Sequence, residues 1–427
     1  MIQVFFDGKE FNQKQAPDFK QISEEISKSR QEILKLNLED IIGLINNFSQ
    51  NILRNHETVK IEGIAFLSQW ARKSNIESLI EINFEDKKIL SDYYEKNGKL
   101  LIAQPKGIIG HWIAGNVVTL GLFSLLQSLL MKNSNILRIP LESIPTMVSL
   151  LKVLRDSEFN GIKGSALLSS TYLIYFTKEE KNINDELSML CDARIIWGGE
   201  EAIKAISDSP KKETCEDILF GPKYSFSIID KDMVNDSVSL SKNMNRLVYD
   251  IIFSEQNSCT SPQVMICECS YPELEKVALE IKKSFENLPE KYKKTDISSF
   301  QASSIIKIRT KYALEGKKML KSEGNDWTIL LDNNLCLEEP IKSRTIFLKS
   351  CDDLTNILKL ITPKIQTIGY AFKDKNKLIE LSKKLNLSGV SRIVALGQMN
   401  FYDLPWDGKM LLARLINFNS LKVSQEE

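Results

Sequence analysis

Cys259 lies in SEQNSCTSPQ, where small and polar side chains crowd around one thiol just before an apolar run. A nucleophilic cysteine needs exposure and a local field that favours thiolate, and a polar loop with backbone N–H groups supplies both. A loop cysteine that only packs would sit in the same surroundings. Cys267 and Cys269 differ, because they fall within or at the end of an apolar run and read as plain strand residues. Their C-x-C spacing makes a poor metal pair in a chain with two histidines. Those two, His56 and His111, limit any histidine-based machine. His56 sits in a charged helical connection and reads as a surface residue. His111, in PKGIIGHWIAGNVVTLG, lies on an apolar segment, where one histidine is more often structural than catalytic. The chemistry to look for is therefore one that works without a histidine base.

Asn116 follows Ala114 and Gly115 and opens a buried apolar stretch, an unusual place for an amide unless its donors are used. It could point at a developing oxyanion, or it could cap the helix that follows. Arg138 closes the strand-like SNILRI, and a guanidinium at a strand's carboxyl end suits a nucleotide 2′-phosphate. Gly198 and Gly199, in RIIWGGEEAI, close one strand and open a helix, which leaves backbone room for a pyrophosphate at a helix N-terminus. GG followed by EE is not GxGxxG, and two acids in a first turn are also ordinary helix chemistry.

These residues need elements to hold them. From Leu100 the chain runs as short apolar stretches, each followed by a turn and a helical segment: Leu100 to Ala103, Asn135 to Ile139, Thr171 to Phe176, Ala193 to Trp197 and Tyr224 to Ile229. Strands alternating with helices predict a mostly parallel, doubly wound sheet. A helix-rich stretch, Lys231 to Ile251, leads to the Cys259 loop and the strand Gln263 to Cys267, where a second α/β region begins. Its later strands are expected at Trp327 to Leu331, Thr345 to Leu348 and Arg392 to Leu396. The first hundred residues read as mostly helical, with apolar residues at three- and four-residue spacing over Ser23 to Lys35 and Leu38 to Asn51. They are expected to form a cover rather than a site.

Composition narrows the function classes. Residues that are 43% hydrophobic and 26% charged describe an ordinary globular protein with a substantial core. Fifty-six basic residues balance fifty-six acidic ones, so no global field favours nucleic acid or an anionic membrane face. Seven cysteines without a CxxC pair argue against a disulfide framework and a structural zinc site, and for a reducing compartment. The opening MIQVFFDGKEFNQK lacks the basic-then-apolar order of a signal peptide, so the cytoplasm is the expected location. Trp112 to Met131 carries no charge and has the length of a bilayer span. Gly115, Asn116, Gly121 and Gln127 interrupt it, and the reading is a helix buried against a sheet.

Taken in order, these pieces resemble the aldehyde dehydrogenase superfamily, and more closely its acyl-CoA reductase (LuxC) branch, which reduces thioesters in fatty-acid reductase complexes. The resemblance runs from about Leu100 to Leu415. It rests on GNVVTLG around Asn116, SNILRIP with Arg138, WGGEEAI, LFGPKYSF at Leu219 to Phe226, and NSCTSPQ around Cys259. EEPIKSRTIFLKS, QTIGYAF and GVSRIVALGQMNFYDLPWDG follow. It implies a Rossmann-type cofactor domain plus a second α/β catalytic domain. The expected divisions are a mostly helical N-terminal part of the cofactor domain (1–95), a Rossmann-like NADP-binding domain (96–235), a catalytic domain bearing Cys259 (236–400), and a C-terminal segment (401–427) as an oligomer contact.

Residue by residue, the resemblance implies that Cys259 accepts the acyl group and that Asn116 is the side-chain half of the oxyanion hole, with the Cys259 backbone N–H as the other half. Arg138 stands where typical members place a lysine on the adenosine ribose. The glutamate that follows such a lysine by three residues, and holds the 2′-OH, falls here on Leu141; this favours NADPH, with NADH the alternative, and the nearby Glu142 bears on the choice. Glu339 matches the glutamate that touches the nicotinamide ribose, although the segment after it departs from the EEIFGP pattern. Aldehyde-oxidising members carry a water-activating glutamate in an ELGG-type turn, and this chain has Leu219 there. A leucine cannot activate water, so the acyl-enzyme is expected to persist until reduced. Glu255, four residues before Cys259, is the one nearby acid that could substitute.

The function expected is reduction of an acyl-CoA or acyl-protein thioester to a fatty aldehyde through a Cys259 acyl-enzyme. The alternatives are an aldehyde-oxidising NAD(P)-dependent dehydrogenase and a non-reducing acyl carrier serving an acyl-protein ligase. The resemblance also implies a homo-oligomer, an acyl-CoA or acylated protein as donor, and an acyl-protein ligase as a partner; no metal, nucleic acid or integral membrane segment is expected.

Overall fold

The computed structural model describes residues 2–16, 18–115, 118–294 and 297–422. The chain forms two compact units, one from Met1–Gly221 with Tyr402–Glu427, the other from Pro222–Phe401.

Strands of the first unit up to Gly221 are β1 (Ile2–Asp7), β2 (Lys14–Ala16), β3 (Tyr94–Lys96), β4 (Lys99–Pro105), β5 (Ile108–Trp112), β6 (Ser134–Arg138), the short hairpin β7 (Glu158–Phe159) and β8 (Ile162–Lys163), β9 (Thr171–Tyr175), β10 (Ala193–Trp197) and β11 (Glu216–Phe220). The main sheet has the order β11-β10-β5-β6-β9-β1-β2. From β11 to β9 neighbouring strands are parallel; β1 and β2 add antiparallel. Successive residues point to opposite faces of a strand, and the two cores follow this parity. Ile109, Leu137, Leu173 and Ile195 pack under the helices Leu38–Arg54, Val118–Leu130 and Ile144–Asp156. Trp112, Ile136, Ile174 and Ile196 face the other way, toward Phe19, Ile22, Ile26 and Leu187. With both faces covered, the central strands are nearly continuous apolar runs, which is why they could be read from the sequence.

Three expectations need correction. The run Tyr224 to Ile229, read with the first sheet, belongs to the sheet of the second unit, where it pairs with Pro262–Glu268 and Ile365–Ala371. The N-terminal stretch is not helical from its start: IQVFFD alternates buried and half-buried side chains and joins the main sheet as β1. The run Leu100 to Ala103 is a strand, but it does not open the parallel sheet. It lies in β4, between β3 and the C-terminal strand Ile416–Leu421, in a separate antiparallel sheet. Its residues are only half-buried. An apolar run specifies a strand locally, whereas one of its two partners here lies more than three hundred residues away.

The second unit contains β12 (Tyr224–Ile229), β13 (Pro262–Glu268), β14 (Met319–Lys321), β15 (Thr328–Asp332), β16 (Thr345–Cys351), β17 (Ile365–Ala371) and β18 (Arg392–Ala395). The order is β14-β15-β16-β13-β12-β17-β18, parallel except for the edge strand β14. Helices Ser237–Ile252 and Tyr271–Glu286 cover one face. Tyr312 and Leu381, from helices Ser299–Leu314 and Lys375–Leu387, pack on the other. Local signals set the helix starts: Asp230 and Asp236 accept from backbone N–H groups one turn on, and Ser270 with Glu273 forms a capping box with Pro272 in the first turn.

Candidate functional site

Five parallel strands of the first unit, β11, β10, β5, β6 and β9, end on one side of its sheet, the side where doubly wound folds bind nucleotides. There a cavity of about 730 Å³ is lined by Trp112 at the end of β5, Arg138 at the end of β6, Phe176 and Lys178 just beyond β9, and Lys181, Asn184 and Asp185 of helix Lys181–Leu190. Glu201, Ala202, Ala205 and Ile206 of helix Glu200–Ser207 complete the wall, with Asp208, Ser209 and Pro210. The Arg138 guanidinium donates through Nη2 to the Phe176 carbonyl at 3.0 Å and lies over the Phe176 ring, 5.4 Å from its centroid. Burial pulls its pKa below the usual value, yet a guanidinium remains cationic at neutral pH. Lys178 and Lys181 have no ion-pair partner among the described residues and supply two further positive charges. The indole N–H of Trp112 donates to Asn184 Oδ1 at 2.8 Å, and Asn184 Nδ2 donates to Ser209, so the polar wall is fixed.

The lining thus combines two aromatic rings and three cations with the carboxylates of Asp185, Glu201 and Asp208. Sequence reasoning found Arg138 and missed Trp112, Phe176, Lys178 and Lys181. Phe176 and Lys178 lie just past a strand end, Trp112 closes a strand and Lys181 opens a helix, and nothing in their own neighbours marks them as site residues.

Gly198 and Gly199 are not in the lining of this cavity. They join β10 to the helix Glu200–Ser207, whose later residues line it. A Cβ at Gly198 would come within 3.1 Å of Ala202 Cβ, whereas one at Gly199 would meet nothing within 4 Å. Gly199 is the exposed N-cap, with no side chain over the first N–H groups. Leu141 is exposed, and Glu142 acts electrostatically on Arg138. A Cβ at Gly115 would approach Glu142 Oε1 to 3.0 Å and Pro140 Cγ to 3.2 Å. Asn116 itself lies outside the described residues.

In the second unit, the loop between helix Ser237–Ile252 and β13 carries Cys259, which is half-buried. The loop has an unusual backbone. Ser254, Glu255 and Gln256 are left-handed, with φ of 47, 50 and 62°, and so are Lys342, Ser343 and Arg344, with φ of 65, 54 and 61°. Each non-glycine residue in this region costs on the order of 1 kcal/mol or more, so specific contacts must hold the two runs. The Ser343 N–H donates to the Glu255 carbonyl at 2.9 Å, and Arg344 grips the Glu255 carboxylate through Nε at 3.0 Å and Nη2 at 2.5 Å. Gln256 is fully buried and donates to the carbonyls of Pro262 and Thr345, at 2.8 and 3.1 Å, while accepting from Thr345 N–H at 2.9 Å. The carbonyl of Cys259 accepts from Ser225 Oγ of β12 at 2.7 Å, and Thr367 N–H of β17 orients that hydroxyl.

Among the other thiols, burial pushes up those of Cys191, Cys215, Cys267 and Cys336, and that of Cys351 to about 12. Protonated, they are poor nucleophiles. No disulfide links any of the seven cysteines. Among the described residues no group of three or more histidine, cysteine or acidic side chains could hold a metal ion.

Glu339 is exposed, with no hydrogen bond or ion pair among the described residues. Its neighbour is the anchored one. Glu338 Oε1 meets the buried Lys349 Nζ at 2.6 Å, and the Glu338 carbonyl accepts from Tyr224 OH at 2.9 Å. Lys349 also reaches Asp332 at 3.3 Å. This network holds the backbone from which Glu339 projects. His111, at 0% exposure, is structural: Nε2 lies 3.0 Å from Asn135 Oδ1, and Nδ1 lies 3.0 Å from Ser124 Oγ. Asn135 Nδ2 donates to Asn133 O, so its oxygen faces the ring and the proton belongs on Nε2.

The model of one family, acyl-CoA reductase (LuxC), matches residues 30–418. The chain belongs to the acyl-CoA reductase family. A long-chain acyl-protein thioester reductase of Aliivibrio fischeri is 26% identical over 339 residues, which make up 77% of this chain and 66% of that protein; the match thus spans just under two thirds of the relative. Among solved structures, an NAD-dependent benzaldehyde dehydrogenase from Corynebacterium glutamicum superposes with a TM-score of 0.67, at 12% identity, over 99% of this chain and 95% of that one. The glyceraldehyde-3-phosphate dehydrogenase GapN of Methanocaldococcus jannaschii, complexed with NADP, gives 0.67 at 16% identity over 97% and 96%. At such identities the likeness establishes the fold, which is that of the aldehyde dehydrogenases, and leaves the chemistry to the residues. Family membership and fold agree with the resemblance carried by the motifs around Asn116, Arg138 and Cys259.

Proposed function

We propose that this member of the acyl-CoA reductase family reduces a long-chain acyl thioester, carried on coenzyme A or on a protein, to the aldehyde. NADPH is the reductant and Cys259 the acyl acceptor. One observation carries the reading: Cys259 is half-buried in a polar loop pinned by hydrogen bonds from Ser225, Gln256 and Arg344.

The Cys259 thiolate adds to the thioester carbonyl, with Asn116 donating to the oxyanion; collapse expels the carrier thiolate and leaves the acyl group on Sγ. In the first unit, Arg138, Lys178 and Lys181 would hold the cofactor's 2′-phosphate, Trp112 and Phe176 would flank its base, and the backbone at Gly198 and Gly199 would receive the pyrophosphate. In the second, Glu339 would meet the nicotinamide ribose. The nicotinamide, when bound, supplies the hydride that converts the acyl group on Cys259 to a thiohemiacetal. That adduct falls apart to aldehyde and the Cys259 thiolate. Leu219 offers no base for water, and the Glu255 carboxylate is engaged by Arg344, which supports the reading that it does not substitute. Both features disfavour the aldehyde-oxidising reading.

In this reading the donor is an acylated partner protein or acyl-CoA, with an acyl-protein ligase upstream. The exposed edge strand Ile416–Leu421 is the surface we assign to a homo-oligomer contact. Among the described residues no helix is long and apolar enough to cross a membrane; seven cysteines without a disulfide favour a reducing cytoplasm.

The test follows nicotinamide absorbance when the purified protein meets a series of acyl-CoAs and NADPH, alongside Cys259→Ala. Oxidation that requires both thioester and Cys259 is the expected result. Acylation of Cys259 without oxidation at any chain length would replace the reductase reading with that of an acyl carrier.

A further inference from the structure

The Cys259 loop leaves helix Ser237–Ile252 and must return to enter β13 at Pro262. One amide closes it. Asn400 Nδ2 donates to the Asp250 carbonyl, near the end of that helix, at 2.8 Å. Asn400 Oδ1 accepts from the hydroxyl of Thr260 at 2.7 Å and from that of Ser261 at 3.3 Å. Because Thr260 donates to Asn400, its oxygen is left to accept from Ser258 Oγ at 2.7 Å. The chain Ser258 to Thr260 to Asn400 therefore runs in one direction and joins the residues on both sides of Cys259. Bonds in such a chain polarise and strengthen one another. Thr260 and Ser261 are each 1% exposed, so water does not compete for these groups.

Asn400 is itself held. Asp250, buried on the helix, accepts from Gly397 N–H at 2.6 Å and Met399 N–H at 3.1 Å. Arg392 donates to the carbonyls of Met399, Gln398 and Phe401 at 2.7, 3.0 and 2.7 Å. An aspartate at 400 would lose the donor to the Asp250 carbonyl and set a charge against it; an alanine would leave the buried hydroxyls of Thr260 and Ser261 without their acceptor.

We propose that Asn400, acting through Thr260, is the positioning residue of the Cys259 nucleophile, fixing the loop from outside the reacting atoms. The proposal rests on Cys259 being the acyl acceptor. Misplacing a nucleophile by about 1 Å costs on the order of a hundredfold in rate, while binding of thioester and cofactor depends on other groups.

The experiment compares wild type, Asn400→Ala, Thr260→Val and Thr260→Ser in the full chain. Three quantities are read: the rate of Cys259 alkylation by iodoacetamide, located by peptide mass; kcat and KM with an acyl-CoA and NADPH; and the melting temperature. Asn400→Ala and Thr260→Val are expected to slow alkylation and lower kcat about ten- to hundredfold with KM little changed. Thr260→Ser, which keeps the hydroxyl, is expected to stay within about twofold. Were Asn400→Ala to unfold, Thr260→Val, a swap of one hydroxyl for a methyl, decides alone. Alkylation and kcat within twofold of wild type in Thr260→Val would overturn the proposal. NADPH oxidation surviving in Cys259→Ala would instead overturn the nucleophile on which it stands, an outcome the alkylation rates do not mimic.

Discussion

On the proposed reading, Arg138 is the side chain that decides between NADPH and NADH. Its guanidinium is braced on the Phe176 ring and carbonyl, so little freedom is lost when it meets a phosphate. A charge-assisted hydrogen bond contributes about 1.5–3 kcal/mol. Arg138→Ala should accordingly lower the preference for NADPH over NADH, read as the ratio of kcat/KM values, by about tenfold to a hundredfold, with Lys178 and Lys181 retaining the rest; an unchanged ratio would move the 2′-phosphate elsewhere. At this scale the sequence exposed what its local context marked. Cys259 is conspicuous among small polar neighbours, and Arg138 closes an apolar strand. Ser225, Gln256 and Asn400 were invisible, because each acts across the fold. Ser225 meets Cys259 from 34 residues away, and Asn400 meets Thr260 from 140. Glu255 could be found as a nearby acid, but its partner Arg344, 89 residues on, could not, and that partner changes what the carboxylate can do.

Elements carry a second kind of consequence, through His111 in β5. The ring is bonded at both nitrogens and buried, and burial pulls its pKa down to about 4. The unfolded chain protonates near pH 6.5, so it binds more protons than the fold between about pH 6.5 and 4. The stability linked to His111 is therefore complete above pH 6.5 and lost as pH falls toward 4, by about 3 kcal/mol in all. Asp250 acts in the opposite sense: burial raises its carboxyl pKa to about 7, so stability falls as pH rises from about 4 to 7. Urea midpoints of wild type and His111→Gln across this range separate the two. The variant should be less stable at pH 7 and should lose less on acidification; parallel curves would remove His111 from the account. Strand runs were legible where both faces are covered, as in β10, whose reading from Ala193 to Trp197 coincides with the observed bounds. They were less informative for β4, where an apolar run reveals a strand but not its sheet, and for β1, whose alternating IQVFFD was passed over beside long helical patterns.

At the scale of the whole molecule, the cavity proposed for the cofactor belongs to the first unit, and its loading should register as stability of that unit. A ligand at about a hundred times its dissociation constant adds about 2.7 kcal/mol by mass action. For a unit of about 250 residues that corresponds to roughly 5–11 °C in melting temperature. NADPH should give this rise in differential scanning calorimetry, NADH at the same concentration a smaller one, and Arg138→Ala should bring the two together. Equal shifts from both nucleotides in wild type would contradict a site built for the extra phosphate. That the chain holds two α/β regions is legible in the alternation of strand and helix, but where they divide is not: Tyr224 to Ile229, read with the first sheet, lies inside the second. That the C-terminal strand returns to β4 is not legible either, because sheet pairing over such a distance leaves no local mark.

That return also sets a timetable for synthesis. The first unit is drawn from both ends of the chain, with the whole second unit between them. As the polypeptide leaves the ribosome, β3 and β4 emerge early, yet the strand that completes their sheet is made only after the roughly 180 residues of the second unit, a delay on the order of ten to forty seconds at ordinary translation rates. Throughout that interval one edge of β4 stays open to any strand that passes. A newborn chain of this kind is a natural client for a chaperone at the tunnel exit, and a stop codon near its end would cost it more than the few residues removed.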